Sequence, residues 1–168
     1  MGPQPITLER KNVLDSSLGI VSIKDNYTVT EKADGERYLM YVDHEGKCYL
    51  INNRLTVRYT GVKLNRVVNT IFDGELITRD VFGKSVNMFG VFDVYFNNGV
   101  DVRGLRLVAK NKNDDSRLKI MNSFAKQYGE TFKNQGLSLF AKEFKYDETG
   151  SKSIFDLSKE FIDKQQSG

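Results

Sequence analysis

Lys32-Ala33-Asp34-Gly35-Glu36-Arg37 follows closely on the β-prone run Tyr27-Thr28-Val29-Thr30. The hexapeptide sets a lysine, a carboxylate, a glycine and an arginine into one short segment behind a strand. A lysine amine attacks phosphorus or carbonyl carbon once it loses its proton, and neighbouring positive charge lowers its pKa. Arg37 supplies such a charge and can also grip a phosphate. Gly35 is expected to let the backbone turn sharply and approach a ligand closely. Lys32 is therefore the candidate nucleophile.

Two further stretches follow in order. Asp73-Gly74-Glu75-Leu76 is expected at the start of a strand. A carboxylate there can hold a ribose hydroxyl or a divalent metal, since hard oxygen ligands suit Mg²⁺. Phe89-Gly90-Val91-Phe92-Asp93-Val94 is expected at the end of another strand, with an aromatic ring able to stack on a purine. Between them, Arg54 in Ile51-Asn52-Asn53-Arg54 is a second phosphate candidate. Taken singly, each has an ordinary reading. Asp73-Gly74 is a turn, Glu75 a solvated strand residue, and Phe89 and Phe92 are core. Their succession along one chain is what favours a functional site.

Outward from these stretches, alternation predicts strands over 37–42 and 47–51 around a hairpin turn at Asp43-His44-Glu45-Gly46. Further strands are predicted at 70–78 and 86–96, with a turn near Asp80 to Lys84. Over 114–129 the period changes. Leu118, Met121, Phe124, Ala125 and Tyr128 fall at helical spacing behind the start signal Asp114-Asp115-Ser116. Alternation returns from Leu137 to Tyr146, and Ile154, Leu157, Phe161 and Ile162 predict a final helix. Residues 1–17 are expected to be an extended arm and 18–168 a partial catalytic domain. The fold class is α+β, with mainly antiparallel β-sheets and flanking helices.

Composition sets limits on these readings. The chain has 168 residues, 39% hydrophobic and 11% aromatic, enough for a sizeable core. A net charge of +3 is compatible with polyphosphate or RNA without requiring either. One cysteine, Cys48, and one histidine, His44, exclude an intramolecular disulfide and a Cys/His zinc cluster. With no long apolar run or signal peptide, the chain is expected to be soluble, intracellular and away from membranes. The basic run from Arg103 to Lys119 is interrupted by Asp114 and Asp115 and reads as solvated surface.

Taken together, Lys32 to Arg37, Asp73 to Leu76 and Phe92-Asp93 resemble the ordered motifs of the covalent nucleotidyltransferases. That superfamily comprises ATP- and GTP-dependent polynucleotide ligases and mRNA capping enzymes. Lys32 to Arg37 matches its lysine-x-Asp-Gly-x-Arg motif. The resemblance implies an ATP-grasp-like ligase/capping domain. Pro5-Ile6-Thr7-Leu8 and Leu139 to Phe144 are similar to guanylyltransferase domains of large DNA virus capping enzymes. That implies a viral and cytoplasmic setting, in a viral factory or virion.

By this resemblance Lys32 would attack the α-phosphorus of GTP, expel pyrophosphate and carry GMP to the 5'-diphosphate end of an RNA. Asp34, Arg37, Arg54, Glu75 and Phe92 would bind the nucleotide. Arg37 and Arg54 would hold phosphate or ribose, Glu75 ribose or metal, and Phe92 would stack on guanine. Mg²⁺ or Mn²⁺ would accompany GTP, and other capping domains would sit in a longer chain. The family also carries two later strand motifs and an OB-fold domain. Neither motif is read before Gly168, and Lys142-Glu143-Phe144-Lys145 has charge without the expected surroundings. An incomplete domain with no OB-fold is therefore expected, its activity in isolation left to test. The alternatives are an ATP-dependent DNA or RNA ligase adenylation domain and a non-catalytic docking module on the same scaffold.

Overall fold

The computed structural model describes residues 6–14, 22–24, 27–147 and 151–166. In chain order the strands are β1 (Val29–Thr30), β2 (Glu36–Val42), β3 (Lys47–Asn52), β4 (Val57–Lys63), β5 (Thr70–Arg79), β6 (Ser85–Asn97) and β7 (Val100–Asp101). Helix α1 (Arg117–Lys133), β8 (Ser138–Ala141), β9 (Phe144–Lys145) and α2 (Ile154–Gln166) follow. The fold is α+β and its sheets are mainly antiparallel, as expected. The chain divides into two compact units, one containing Ala33–Lys142 and the other Pro3–Lys32 with Glu143–Gly168. No helix among the described residues is long and apolar enough to cross a membrane.

The first unit holds a seven-stranded sheet in the order β4-β3-β2-β5-β6-β7, with β8 paired to β6. Alternation sends Met40 and Val42 to one face, opposite Leu50 and Cys48 on β3 and Phe72 and Thr70 on β5. All six are buried. Helix α1 covers this face, with the Phe124 ring stacked 4.3 Å from Phe72 and with Met121 and Phe132 buried beside it. Ser116 caps the helix as expected, its hydroxyl accepting from Lys119 N–H at 3.3 Å. Such a cap stabilises by about 1 kcal/mol. The helix runs to Lys133, past the expected end near 129. The predicted β2–β3 hairpin is present, and Gly46 takes φ 81° in its turn, a conformation that glycine adopts without strain.

Strand β6 has 13 residues against 10 in β5, and the register between them shifts at three places. Gly74 opposes Val91 while Asp73 opposes Asp93, so Phe92 is an extra residue. Phe72 opposes Val94 while Ile71 opposes Phe96, which makes Tyr95 another. These are β-bulges, which break the alternation and re-aim side chains. Val91 and Val94 are buried in the core, Phe92 is half-buried, and Tyr95 is buried with its hydroxyl on Asp73. The sequence placed Asp73 at a strand start and Phe92-Asp93 at a strand end; both lie in strand interiors.

The single alternating run expected from Leu137 to Tyr146 is two strands. β8 pairs parallel with β6, and Lys142 N–H prolongs that pairing with a 2.8 Å bond to Val91 C=O. β9 pairs antiparallel with β1, in the second unit. Alternation alone does not show a change of partner, because the side-chain period is the same in either sheet.

In the second unit Val29 opposes Lys145, and Thr30 Oγ1 donates to Glu143 C=O at 2.8 Å. Helix α2 buries Leu157 and Phe161, whereas Ile162, expected on the same face, is 54% exposed. Lys145 pairs with Glu160 at 2.9 Å and lies 4.9 Å from the Phe161 ring. The expected arm over 1–17 contains a 3-10 helix at Arg10–Val13, with Glu9 N–H held by Asn12 Oδ1 at 3.0 Å. Residues 1–5 and 15–17 of that arm lie outside the described residues.

Candidate nucleotide site

The face of the sheet turned away from α1 carries the motif residues of the first unit. Arg37 opposes Glu75, and Leu39 opposes Asp73. Arg37 therefore lies diagonal to Asp73, within reach of a long side chain. Its Nε donates to Asp73 Oδ1 at 2.9 Å and its Nη2 to Oδ2, a bidentate fork. The Tyr95 hydroxyl also donates to Asp73 Oδ2 and lies 3.4 Å from Arg37 Nη2. The Asp73 hydrogen bond pushes the Arg37 guanidinium still further above its ordinary range. Burial, with Asp73 behind it, pushes the Tyr95 hydroxyl up as well.

Asp73 is only 1% exposed. Either carboxylate of Asp73-Gly74-Glu75 was a candidate for ribose or metal, but Asp73 is an internal counter-ion. A buried carboxylate is stable only when paired and hydrogen-bonded, and Arg37 and Tyr95 do both.

Glu75 is the outward carboxylate of the motif. Its Oε1 accepts Gly35 N–H at 3.1 Å, and its Oε2 lies 3.9 Å from Lys142 Nζ. Gly35 lies in a bend before β2 but is not among the glycines with positive φ, so the bend itself does not demand a glycine. What requires a glycine is close approach to β5. A Cβ at position 35 would lie 2.6 Å from Leu76 O and 2.7 Å from Glu75 Cγ. Gly35→Ala is accordingly expected to displace Glu75 and lower stability by about 1–3 kcal/mol, an overpacking penalty. Urea unfolding of the variant checks this. A midpoint equal to that of the parent chain would show that β5 has room to yield.

Phe92 owes its direction to its bulge. Arg37 Cζ lies 5.9 Å and Lys142 Nζ 5.8 Å from the ring centroid, so two cations border the half-buried ring. Position 90 is glycine because the Phe140 ring lies above it. A Cβ there would meet Phe140 Cζ at 2.7 Å and the Lys142 stem at 3.4 Å. Asp93 turns to Arg117, whose Nη1 reaches both carboxylate oxygens at 2.5 Å while its Nε donates to Leu105 C=O at 3.1 Å. Burial holds the Asp93 carboxyl above its usual range, against the pull of Arg117. Arg117, read as part of a solvated basic run, is thus an internal ion-pair residue.

Asp34 is exposed ahead of β2, and Arg54 is exposed in the β3–β4 turn. Asn52 Oδ1 shapes that turn, accepting Arg54 N–H and Thr56 N–H, each at 3.0 Å. Because Asn52 opposes Tyr38, the turn lies at the Arg37 end of β2. Lys32 is exposed and is the last residue of the second unit before Ala33. Among the described residues no group of three or more His, Cys, Asp or Glu forms a metal cage. Glu75, the expected metal ligand, accepts from Gly35 and stands 3.9 Å from Lys142.

The structure brings Arg37, Glu75 and Phe92, named separately in the sequence, to one face of the sheet. Sequence reasoning did not select Tyr95, Asp73 as an anchor, or Lys142. The three-residue spacing of Val91 and Val94 marks the surplus at Phe92, since an unbroken strand repeats every two residues, but it does not mark Tyr95. Lys142 closes an alternating run, at the position where an outward side chain was due.

An arginine–carboxylate fork on the buried Asp73, an outward glutamate and an aromatic bordered by cations thus share one face of the first unit's sheet. The class to which this arrangement and fold belong is the covalent nucleotidyltransferases. Within it, the chain belongs to the mRNA capping enzyme catalytic domain family, whose model matches residues 1–167. It is 36% identical over 104 residues to the "Probable mRNA-capping enzyme" of Acanthamoeba polyphaga mimivirus, covering 60% of this chain and 8% of that protein. It is 30% identical over 109 residues to an "mRNA-capping enzyme" of Danio rerio, covering 60% of this chain and 17% of that one. The chain thus matches only a small part of the length of these relatives. The ligase domain from M. tuberculosis LigD shares 19% identity at a TM-score of 0.48, covering 83% of this chain and 44% of that chain.

Proposed function

We propose that this chain is the guanylyltransferase part of an mRNA capping enzyme. Lys32 takes the nucleophile's role from its motif. Its deprotonated amine forms a bond to the α-phosphorus of GTP as the bond to the bridging β-phosphate oxygen breaks, and pyrophosphate leaves with that electron pair. The terminal phosphate oxygen of a 5'-diphosphate RNA then attacks the same phosphorus. The P–N bond breaks, the cap linkage forms, and the lysine amine is released. Positioning and charge neutralisation supply most of the catalysis in such transfers. The residues proposed for these tasks are Arg37 and Arg54 toward phosphate or ribose, Asp34 and Glu75 toward the nucleotide, and Phe92 under the base. Mg²⁺ or Mn²⁺ would enter on the triphosphate as part of the substrate.

The observation that carries the guanine assignment is Lys142. An ammonium only donates hydrogen bonds. Set beside the ring on which the base would stack, it favours a base edge that only accepts. Guanine presents O6 and N7 as acceptors, whereas adenine replaces O6 with an amino donor. The same observation disfavours the ATP-dependent ligase reading. The retention of Lys32, Arg37 and Glu75 disfavours a merely docking scaffold.

The test is intact-mass measurement after incubation with Mg²⁺ and either GTP or ATP. A GMP adduct is expected, and an AMP adduct in its place would move the chain to the ligases. Lys142→Met is expected to narrow the preference for GTP over ATP by about tenfold or more. An unchanged preference would remove Lys142 from base recognition.

A further inference from the structure

Tyr95 lies outside the nucleotidyltransferase motifs, two residues beyond Phe92-Asp93. Its ring is on the site face, and it is the extra residue of a bulge. Without that bulge, alternation from Asp93 through Val94 would still bring a side chain here, but the neighbouring Phe96 would turn into the core. The bulge lets β6 present Tyr95 and Phe96 together while Val94 keeps its core position, fully buried.

The hydroxyl of Tyr95 bridges two groups. It donates to Asp73 Oδ2 and stands 3.4 Å from Arg37 Nη2. Asp73 Oδ1 is held by Arg37 Nε at 2.9 Å, so the carboxylate has one oxygen anchored by Arg37 alone and the other shared with Tyr95. A carboxylate rotates easily about its terminal torsion, which is broad and roughly two-fold. Two independent donors on Oδ2 remove that freedom, and a planar fork on the same carboxylate is then fixed with it. A phenol is protonated at neutral pH, and burial only pushes the Tyr95 hydroxyl further up, so it acts as the donor throughout.

We propose that Tyr95 is a positioning residue: through Asp73 it sets the orientation in which the Arg37 guanidinium meets a phosphate or ribose oxygen of the nucleotide. The assignment of the ligand rests on the nucleotidyltransferase reading above; the positioning of Arg37 does not. Tyr95→Phe removes one oxygen and leaves the ring, so the fold has little reason to change.

Two measurements on the full chain test it. The first is ¹⁵N NMR of the Arg37 guanidinium, reading rotation about its Cζ–N bonds in the parent chain and in Tyr95→Phe. The second is the GTP dependence of adduct formation. Rotation is expected to speed up in Tyr95→Phe, and KM for GTP to rise about tenfold, the scale of one hydrogen bond to a charged group. With Arg37 already replaced by lysine, Tyr95→Phe is expected to change KM no further. Unchanged rotation and unchanged KM would overturn the proposal. So would an equal additional loss in the Arg37→Lys background, which would place the action of Tyr95 elsewhere. If the parent chain forms no adduct with any nucleotide, the guanylyltransferase reading fails on its own. The rotation measurement then decides alone, faster motion supporting the role of Tyr95 and unchanged motion overturning it.

Discussion

Lys32→Ala should abolish adduct formation with GTP, lowering its rate by roughly 10⁴-fold or more, the scale on which loss of a nucleophile acts. Lys32→Arg should fail equally, because a guanidinium stays protonated and has no lone pair to offer. Neither change touches Arg37, Asp73, Glu75, Phe92 or Lys142, so GTP should still bind to both variants. Intact mass and equilibrium binding, run side by side, separate the two effects. An adduct that persists at the parent rate in Lys32→Ala would show that another lysine carries the nucleotide. Lys142, beside the Phe92 ring, would be the first to examine.

Arg37→Met should have the largest effect on stability. It leaves the Asp73 carboxylate, 1% exposed, with the Tyr95 hydroxyl and without its counter-charge. Removing one partner of a buried ion pair destabilises by about 3–5 kcal/mol. For a chain of this size that corresponds to a fall in Tm of about 10 °C or more. Adding Asp73→Asn should recover most of the loss, since an amide in that position needs no cation and can still accept from Tyr95. Adduct formation should not recover, because the arginine is still missing. Thermal unfolding of the single and double variants checks the first half and intact mass the second. A double variant as unstable as Arg37→Met would show that the arginine stabilises by packing rather than by charge.

The legible parts of this fold are those where a local rule and the final contact coincide. The β2–β3 hairpin is readable because Asp43 to Gly46 supplies both turn chemistry and a glycine for positive φ, between two alternating runs. Helix α1 is readable because Ser116 marks its start and Met121, Phe124 and Phe132 all meet the sheet. The division of residues 137–146 between β8 and β9 is not. Nothing local to Lys142 or Glu143 breaks the period, and the change is one of partner strand, set by residues far away in sequence.

Within the site, Arg37, Glu75 and Phe92 stood out because their residue types fit a nucleotide. Asp73 looked equally suited to a ligand, and only its burial beside Arg37 and Tyr95 assigns it an internal role. Gly35 was read as a sharp turn with close approach to a ligand. What demands a glycine there is a neighbouring strand pressing close. Lys142 and Tyr95 were passed over because neither residue type is informative by itself. Their meaning comes from a parallel strand pairing and a bulge, both long-range features.

The two bulges in β6 have a consequence for how such a site can change over time. In an unbroken strand the residues that line a pocket and those that fill a core are bound in strict alternation. Moving one set by a position moves the other with it. Here Val91 and Val94 hold the core across one surplus residue, Phe92, while a second, Tyr95, follows Val94 beside the buried Asp73. The outward chemistry of position 92 is thereby uncoupled from the structural duty of its neighbours. Substitutions at position 92 can be tried, by selection or by design, on a scaffold whose interior they leave intact, whereas position 95 also serves Asp73.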